Sequence, residues 1–262
     1  MQTAKRDCTR EILREVQRRV PAGQRFLQEA FTSDHRHPVL IKLNDLQADT
    51  FYFFDELSVC AVCDAVVAWA ARQAGGRLTV SYAAFGEWKA QQKRLQHIAQ
   101  KFSSVRVLTI GDPRGTVAGA PGFEVRNING SVLSKFRLAL QEERRPVAFV
   151  CREVAGRGRY LGFFTCDPVT VDELADDVEL IARGLSRRMA TFERLQMLHQ
   201  TTQQVTRELE SYARRMELAI RRAERRPDLL TPARFERIVR QSIAKMEQLK
   251  EIPRRALRTL GR

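Results

Sequence analysis

This chain is poor in the residues from which active sites and disulfide frameworks are usually built. Five cysteines and four histidines are scattered over 262 residues. So few cysteines, odd in number, exclude a disulfide scaffold and fit reduced thiols. His35, His37, His97 and His199 have no metal-ligand spacing. No G-x-S-x-G elbow and no phosphate-binding G-x-x-x-x-G-K occurs. No apolar run approaches the ~20 residues of a membrane span. The N-terminus is charged (Lys5, Arg6, Asp7, Arg10) rather than apolar, so no secretory leader is expected. No internal repeat and no low-complexity segment stands out. These absences predict a non-catalytic, cytoplasmic protein and point to no particular cofactor.

What the chain has in excess is positive charge, unevenly spread. The formal net charge is +14. Residues 1–37 carry +3, residues 38–182 are balanced at zero, and residues 183–262 carry +11. A basic tail predicts an anionic partner, such as nucleic acid or an anionic surface. The plain alternative is a solvated helix face rich in arginine. Within the tail, Leu198, Thr202, Val205, Leu209, Tyr212, Met216, Ala219 and Ala223 alternate spacings of four and three. That is a heptad seam, and a helix with such a stripe needs a partner helix. The expected result is a homodimer held by Leu198, Val205, Leu209, Tyr212 and Met216. The competing arrangement is an intramolecular hairpin with residues 232–250, where Thr231-Pro232 restarts a helix after the break at Arg226-Pro227-Asp228.

The remaining chain alternates helices and strands. Helices are expected over 9–20 and Gln24–Phe31, and an apolar strand over Val39–Leu43. Glu56–Ala74 reads as a long apolar helix stopped by Gly75-Gly76. The strand Arg77–Ala84, the helix Gly86–Phe102 and the strand Val105–Ile110 make a crossover unit with parallel strands. A strand at Phe123–Ile128, a helix at Ser131–Gln141 and a hairpin of Val147–Arg152 with Tyr160–Thr165 follow. A helix begins near Thr170 and is expected to run on into the coiled coil. The fold class is therefore α/β, with a mixed, mainly parallel sheet and then a long C-terminal coiled-coil helix and helical hairpin. The domains are an N-terminal helical segment (1–37), an α/β domain (38–182) and a basic helical tail (183–262).

Three clusters could carry chemistry. Cys60-x-x-Cys63 has the look of a metal or redox motif, but it lies within a helical pattern and lacks two further ligands. Core packing is the preferred reading, with a site completed by Cys151 or Cys166 as the alternative. Asn129-Gly130-Ser131 could hold an anion on backbone N–H groups, but helix capping by Asn129 or Ser131 is the preferred reading. Ligands of open α/β sheets sit beyond the carboxyl ends of the strands. Those positions hold Tyr82, Phe85, Trp88, Asp112 and Arg114, with Arg152 and Phe164 approaching from the hairpin. Aromatics with a few polar groups describe a small-molecule pocket as well as a core rim.

Six stretches of the middle domain also carry a family likeness. They are Leu57-Ser58 on an alanine-rich helix, Tyr82-Ala83-Ala84-Phe85, Ile98-Ala99, the run Val105–Gly111, the run Pro146–Cys151, and the run Gly162–Val169. In this order, over residues 50–182, the chain resembles the DICT sensory domain, named for its co-occurrence with diguanylate cyclases and two-component systems. The resemblance implies a non-catalytic input domain that regulates a linked output by binding a signal or a partner, and it supplies no catalytic residues. Such domains sit beside a kinase, cyclase or DNA-binding module, whereas here the neighbour is a helical tail. The expected function is thus sensory or regulatory, in signal transduction, with a signalling output protein as partner. The alternative is a nucleic-acid-associated regulator acting through the tail.

Overall fold

The computed structural model describes residues 2–19, 26–30, 40–111, 122–154, 158–185, 189–225, 231, 236–238, 240–245, 247 and 249. Described residues up to Phe192 form one compact unit, and those from Glu193 form a second. The first unit opens with α1 (Gln2–Arg19), β1 (Phe26–Glu29), β2 (Leu40–Lys42), β3 (Tyr52–Asp55) and α2 (Glu56–Gln73). Then come β4 (Arg77–Tyr82), α3 (Phe85–Ala99), β5 (Ser104–Thr109), β6 (Phe123–Asn127), β7 (Phe136–Gln141), β8 (Val147–Glu153), β9 (Arg159–Thr165) and α4 (Pro168–Ala182). One mixed sheet runs in the order β2-β1-β3-β9-β8-β7-β4-β5-β6. No described helix is long and apolar enough to cross a membrane.

The expectation of a mainly parallel sheet is corrected. Only β4–β5 and β5–β6 pair in parallel; the other pairings are antiparallel. The parallel part is where α3 supplies the crossover that parallel strands require. Elsewhere strands such as β8 and β9 run back beside one another.

Two expected helices are strands. Gln24–Phe31 instead holds β1, where Leu27 is buried between β2 and β3. Ser131–Gln141 instead holds a short 3₁₀ turn, Val132–Lys135, capped by Ser131, and then β7. β7 is paired on both sides, with β4 and β8, and both of its faces are covered. Burial on both faces leaves Ala139 where a polar residue would have continued the alternation begun by Arg137.

Helix termini follow local chemistry. The Asp55 carboxylate accepts from the Ser58 N–H at 2.7 Å and caps α2. Asp167 caps α4 by accepting from Thr170, and Pro168 takes the first turn. α4 ends at Ala182 and does not run on into the long C-terminal helix. Gly184, at φ 76°, donates its N–H to the Ile181 carbonyl, and Leu185 donates to Leu180. That left-handed stop terminates α4. The next helix, α5, spans Ala190–Arg225. The first unit also extends past residue 182, through Phe192, because Met189 and Phe192 are still buried in it.

The sheet is covered on both faces. Val147, Phe149 and Cys151 of β8 join the cluster that includes Ile12 and Val16 of α1, Val62 and Trp69 of α2, and Leu95 of α3. The alternate residues Ala148 and Val150 are also buried, on the opposite face, with Leu138, Phe163 and the α4 residues Leu174 and Val178. Phe192 closes that side, its ring centroid 5.4 Å from those of both Phe51 and Phe136.

α1 belongs to this unit and is clamped to α2. The buried Glu15 carboxylate accepts from Arg72 at 2.6 Å and from Arg19 at 3.1 Å. Glu11 accepts from the Trp69 indole at 2.9 Å and from Arg145 at 3.0 Å. The Cys8 and Cys166 sulfurs lie 2.6 Å apart and bring α1 to the end of β9. Burial alone would raise the Glu15 pKa, but Arg72 and Arg19 together hold it below the usual 4.5. The Trp69 hydrogen bond does the most to lower that of Glu11, burial opposes it, and Arg145 lowers it further. A carboxylate with a depressed folded pKa contributes stability above its unfolded pKa and loses it as pH falls through the folded value. Thermal melts should therefore show stability falling with pH below about 4.5, the unfolded carboxylate value. Glu15→Gln should be less stable at neutral pH and show a flatter acid limb. Parallel pH profiles for the two proteins would contradict the clamp.

Candidate ligand pocket beside the parallel strands

A pocket of about 260 Å³ opens between α2, α3, the second half of β4 and the start of β7. It is slightly smaller than the ~300–1,000 Å³ of sites for drug-sized ligands. Its walls are apolar: Val59 and Val67 from α2, Val80 from β4, and Ala90 from α3. Helical spacing along α2 also brings Glu56, Cys60, Cys63 and Asp64 to it. β4 contributes Ser81 and Tyr82, α3 contributes Glu87 and Gln91, and β7 contributes Arg137.

Most of the polar groups are already engaged. Asp64 is paired with Arg94 at 3.1 Å, and Arg94 also donates to Gln91 at 3.3 Å. Glu87 accepts from the Ala83 N–H at 2.9 Å, at the start of α3. The Ser81 hydroxyl accepts from the Leu138 N–H at 2.8 Å and so ties β4 to β7. Arg137 is different. It donates to the Phe136 carbonyl at 3.2 Å and, at 3.5 Å, to the Tyr160 hydroxyl. Its guanidinium lies 5.6 Å from the Tyr160 ring centroid. No carboxylate pairs with it among the described residues.

Burial pushes the Cys63 thiol well up and the Cys60 thiol up, while Arg137 acts in the opposite direction on both. Burial, with Asp64 second, raises the Tyr82 phenol. Thiols with raised pKa values are poor nucleophiles at neutral pH. Among the described residues no cluster of three His, Cys, Asp or Glu side chains could hold a metal ion.

Of the residues expected at a ligand site, the pocket contains Tyr82. Phe85 and Trp88 do not line it. Trp88 is buried in the core with its ring 6.0 Å from Phe123 and 6.5 Å from Phe85, and its indole N–H has no partner among the described residues. Both side chains turn inward because the face of α3 that meets the sheet starts at its first turn. Asp112 and Arg114 lie outside the described residues. Phe164 is fully buried, and the Arg152 guanidinium sits 5.6 Å from the Phe192 ring. Cys63 packs against the core, in line with a packing role, whereas Cys60 is exposed and lines the pocket. Arg137 was hidden by the helix reading of Ser131–Gln141. The period-two run Phe136, Leu138, Leu140 was the signal that could have placed it on a strand opposite those residues.

In the second unit, Leu198, Val205, Tyr212 and Met216 are half-buried on α5, while Leu209 is 46% exposed. Tyr212 hydrogen-bonds to Ser242, whose oxygen lies 3.9 Å from the Met216 sulfur, and Lys245 pairs with Glu208 at 3.1 Å. Searches of protein-family models, curated proteins and solved structures found no match to this chain.

Proposed function

We propose that this protein is a non-catalytic sensory or regulatory protein that binds a small organic signal in the α/β unit and acts through its C-terminal helices. The observation that carries this reading is the pocket beside β4. It combines apolar walls, a few fixed polar groups and one guanidinium without a carboxylate partner. Burial raises the Cys63 thiol and the Tyr82 phenol above their ordinary pKa values, which suits binding better than acid–base or nucleophilic work. The resemblance to the DICT sensory domain gives the same assignment. A thermal-shift screen of small organic molecules against the full chain tests it. Ligands should raise the melting temperature of the wild type, and Ala90→Trp, which places an indole at the pocket mouth, should remove the shift. Shifts that survive Ala90→Trp would move the site elsewhere.

For the second unit we propose that the heptad stripe is used twice. The Tyr212–Ser242 and Glu208–Lys245 contacts support a helical hairpin within the chain. Leu209, exposed at 46%, remains for a second copy. Light scattering at micromolar concentration should give a dimer, and Leu209→Asp a monomer. A monomeric wild type would leave only the hairpin.

The nucleic-acid reading rests on the +11 of residues 183–262 and on exposed Arg214, Arg215 and Arg225 of α5. Steeply salt-dependent binding of DNA or RNA, lost in Arg214→Glu/Arg215→Glu, would favour it over the sensor.

A further inference from the structure

We infer that the pocket recognises a small organic carboxylate, with the acid group on Arg137 and an apolar body between α2 and α3. This inference rests on the pocket being the ligand site. Four charged side chains line the pocket: Glu56, Asp64, Glu87 and Arg137. Counted formally they favour a cation, but the carboxylates are held by the protein or by water. Asp64 is neutralised by Arg94, and Glu87 is held by a backbone N–H at the start of α3. Glu56 is exposed at the rim, where water screens it.

Arg137 is the one cation in the pocket lining, and no carboxylate pairs with it among the described residues. Its side chain is only partly exposed, and it rises from β7 beside the fully buried Cys151 and the Tyr160 ring. Its two protein hydrogen bonds go to neutral oxygens, at 3.2 and 3.5 Å, and so leave part of its planar donor fork unused. A guanidinium withdrawn from water is costly unless paired, and its fork matches a carboxylate with two parallel bonds. Tyr82 also lines the pocket, and its hydroxyl, which makes no hydrogen bond among the described residues, can donate to the same ligand. Val59, Val67 and Val80 then exclude water around the ligand body, and the volume limits that body to about one aromatic ring or a short alkyl chain.

The test uses three probes of one shape on the full chain: phenylacetate, phenylacetamide and phenethylamine. Calorimetry should show phenylacetate binding about tenfold or more tightly than the other two, the difference made by one charge-assisted hydrogen bond. Arg137→Met should remove that preference and leave phenylacetate no better than the amide. Arg137→Lys, which keeps the charge but not the fork, should fall between. Unchanged circular dichroism and melting of the variants without ligand show that β7 is intact. Phenethylamine binding best, or a carboxylate preference that survives Arg137→Met, overturns the inference. So does no phenylacetate binding at millimolar concentration. Ala90→Trp separates this from failure of the site itself. If it abolishes binding of whichever probe binds, the pocket stands even where the carboxylate does not. If it leaves binding unchanged, the pocket reading falls.

Discussion

Gly162→Ala should destabilise the α/β unit by about 3 kcal/mol or more, and soluble yield should drop with it. Gly162 lies on β9, opposite Cys151 on one side and Tyr52 on the other. β8 and β9 sit at the middle of the nine-stranded sheet. A methyl group on Gly162 would overlap the Cys151 side chain and lie 2.5 Å from the Val150 carbonyl oxygen. The carbonyl is backbone and cannot rotate away, so the strands themselves would have to separate. Interiors are packed too densely for that to be absorbed elsewhere. Cys151→Gly in the same chain should recover part of the loss by clearing the side-chain overlap, though not the contact with Val150. Equal denaturation midpoints for Gly162→Ala and the wild type would show that the two strands are not this close.

Trp69→Ala should cost about 3–5 kcal/mol, the range for removing a large aromatic side chain from a core. Trp69 is fully buried on α2, and its N–H reaches Glu11 of α1. The substitution removes both a large apolar volume and the bond that orients α1. Trp69→Phe separates the two effects. It keeps most of the packing and loses the hydrogen bond, for about 1 kcal/mol, because Glu11 is partly solvated and keeps Arg145. Urea denaturation of both variants is the measurement. A loss under 1 kcal/mol for Trp69→Ala would mean that α1 does not depend on this anchor.

How far the sequence carried the fold depended on element length and on what surrounded each element. α2 was legible because Glu56–Gln73 is long and is followed by Gly75-Gly76. The β4–α3–β5 crossover was legible because its three segments have distinct periods and a turn between each. β7 was not. Phe136–Gln141 shows only a broken alternation, with Ala139 between Arg137 and Gln141, and follows a serine-capped turn that resembles a helix start. β1, only four residues long, fits either period. That one misread strand, β7, also concealed Arg137, so the candidate site was read with its aromatics and without its cation.

The sequence by itself determined the α/β character, the stop of α2 at Gly75-Gly76, the crossover, the β8–β9 hairpin and the concentration of basic charge after residue 183. These are local properties: they follow from glycine conformation, turn chemistry and the spacing of apolar residues along one segment. Only the tertiary structure decided that most of the sheet is antiparallel. Strand order depends on which distant segments meet, and no local pattern encodes it. It also decided that Trp88 is a core residue and that Phe85 packs against the core rather than lining the pocket, since burial is set by what packs on a helix face. And it decided that Glu56, Cys60, Tyr82 and Arg137, from three separate elements, share one cavity. A charge without a partner is a property of that assembled neighbourhood, so it becomes visible only once β7 lies beside β4.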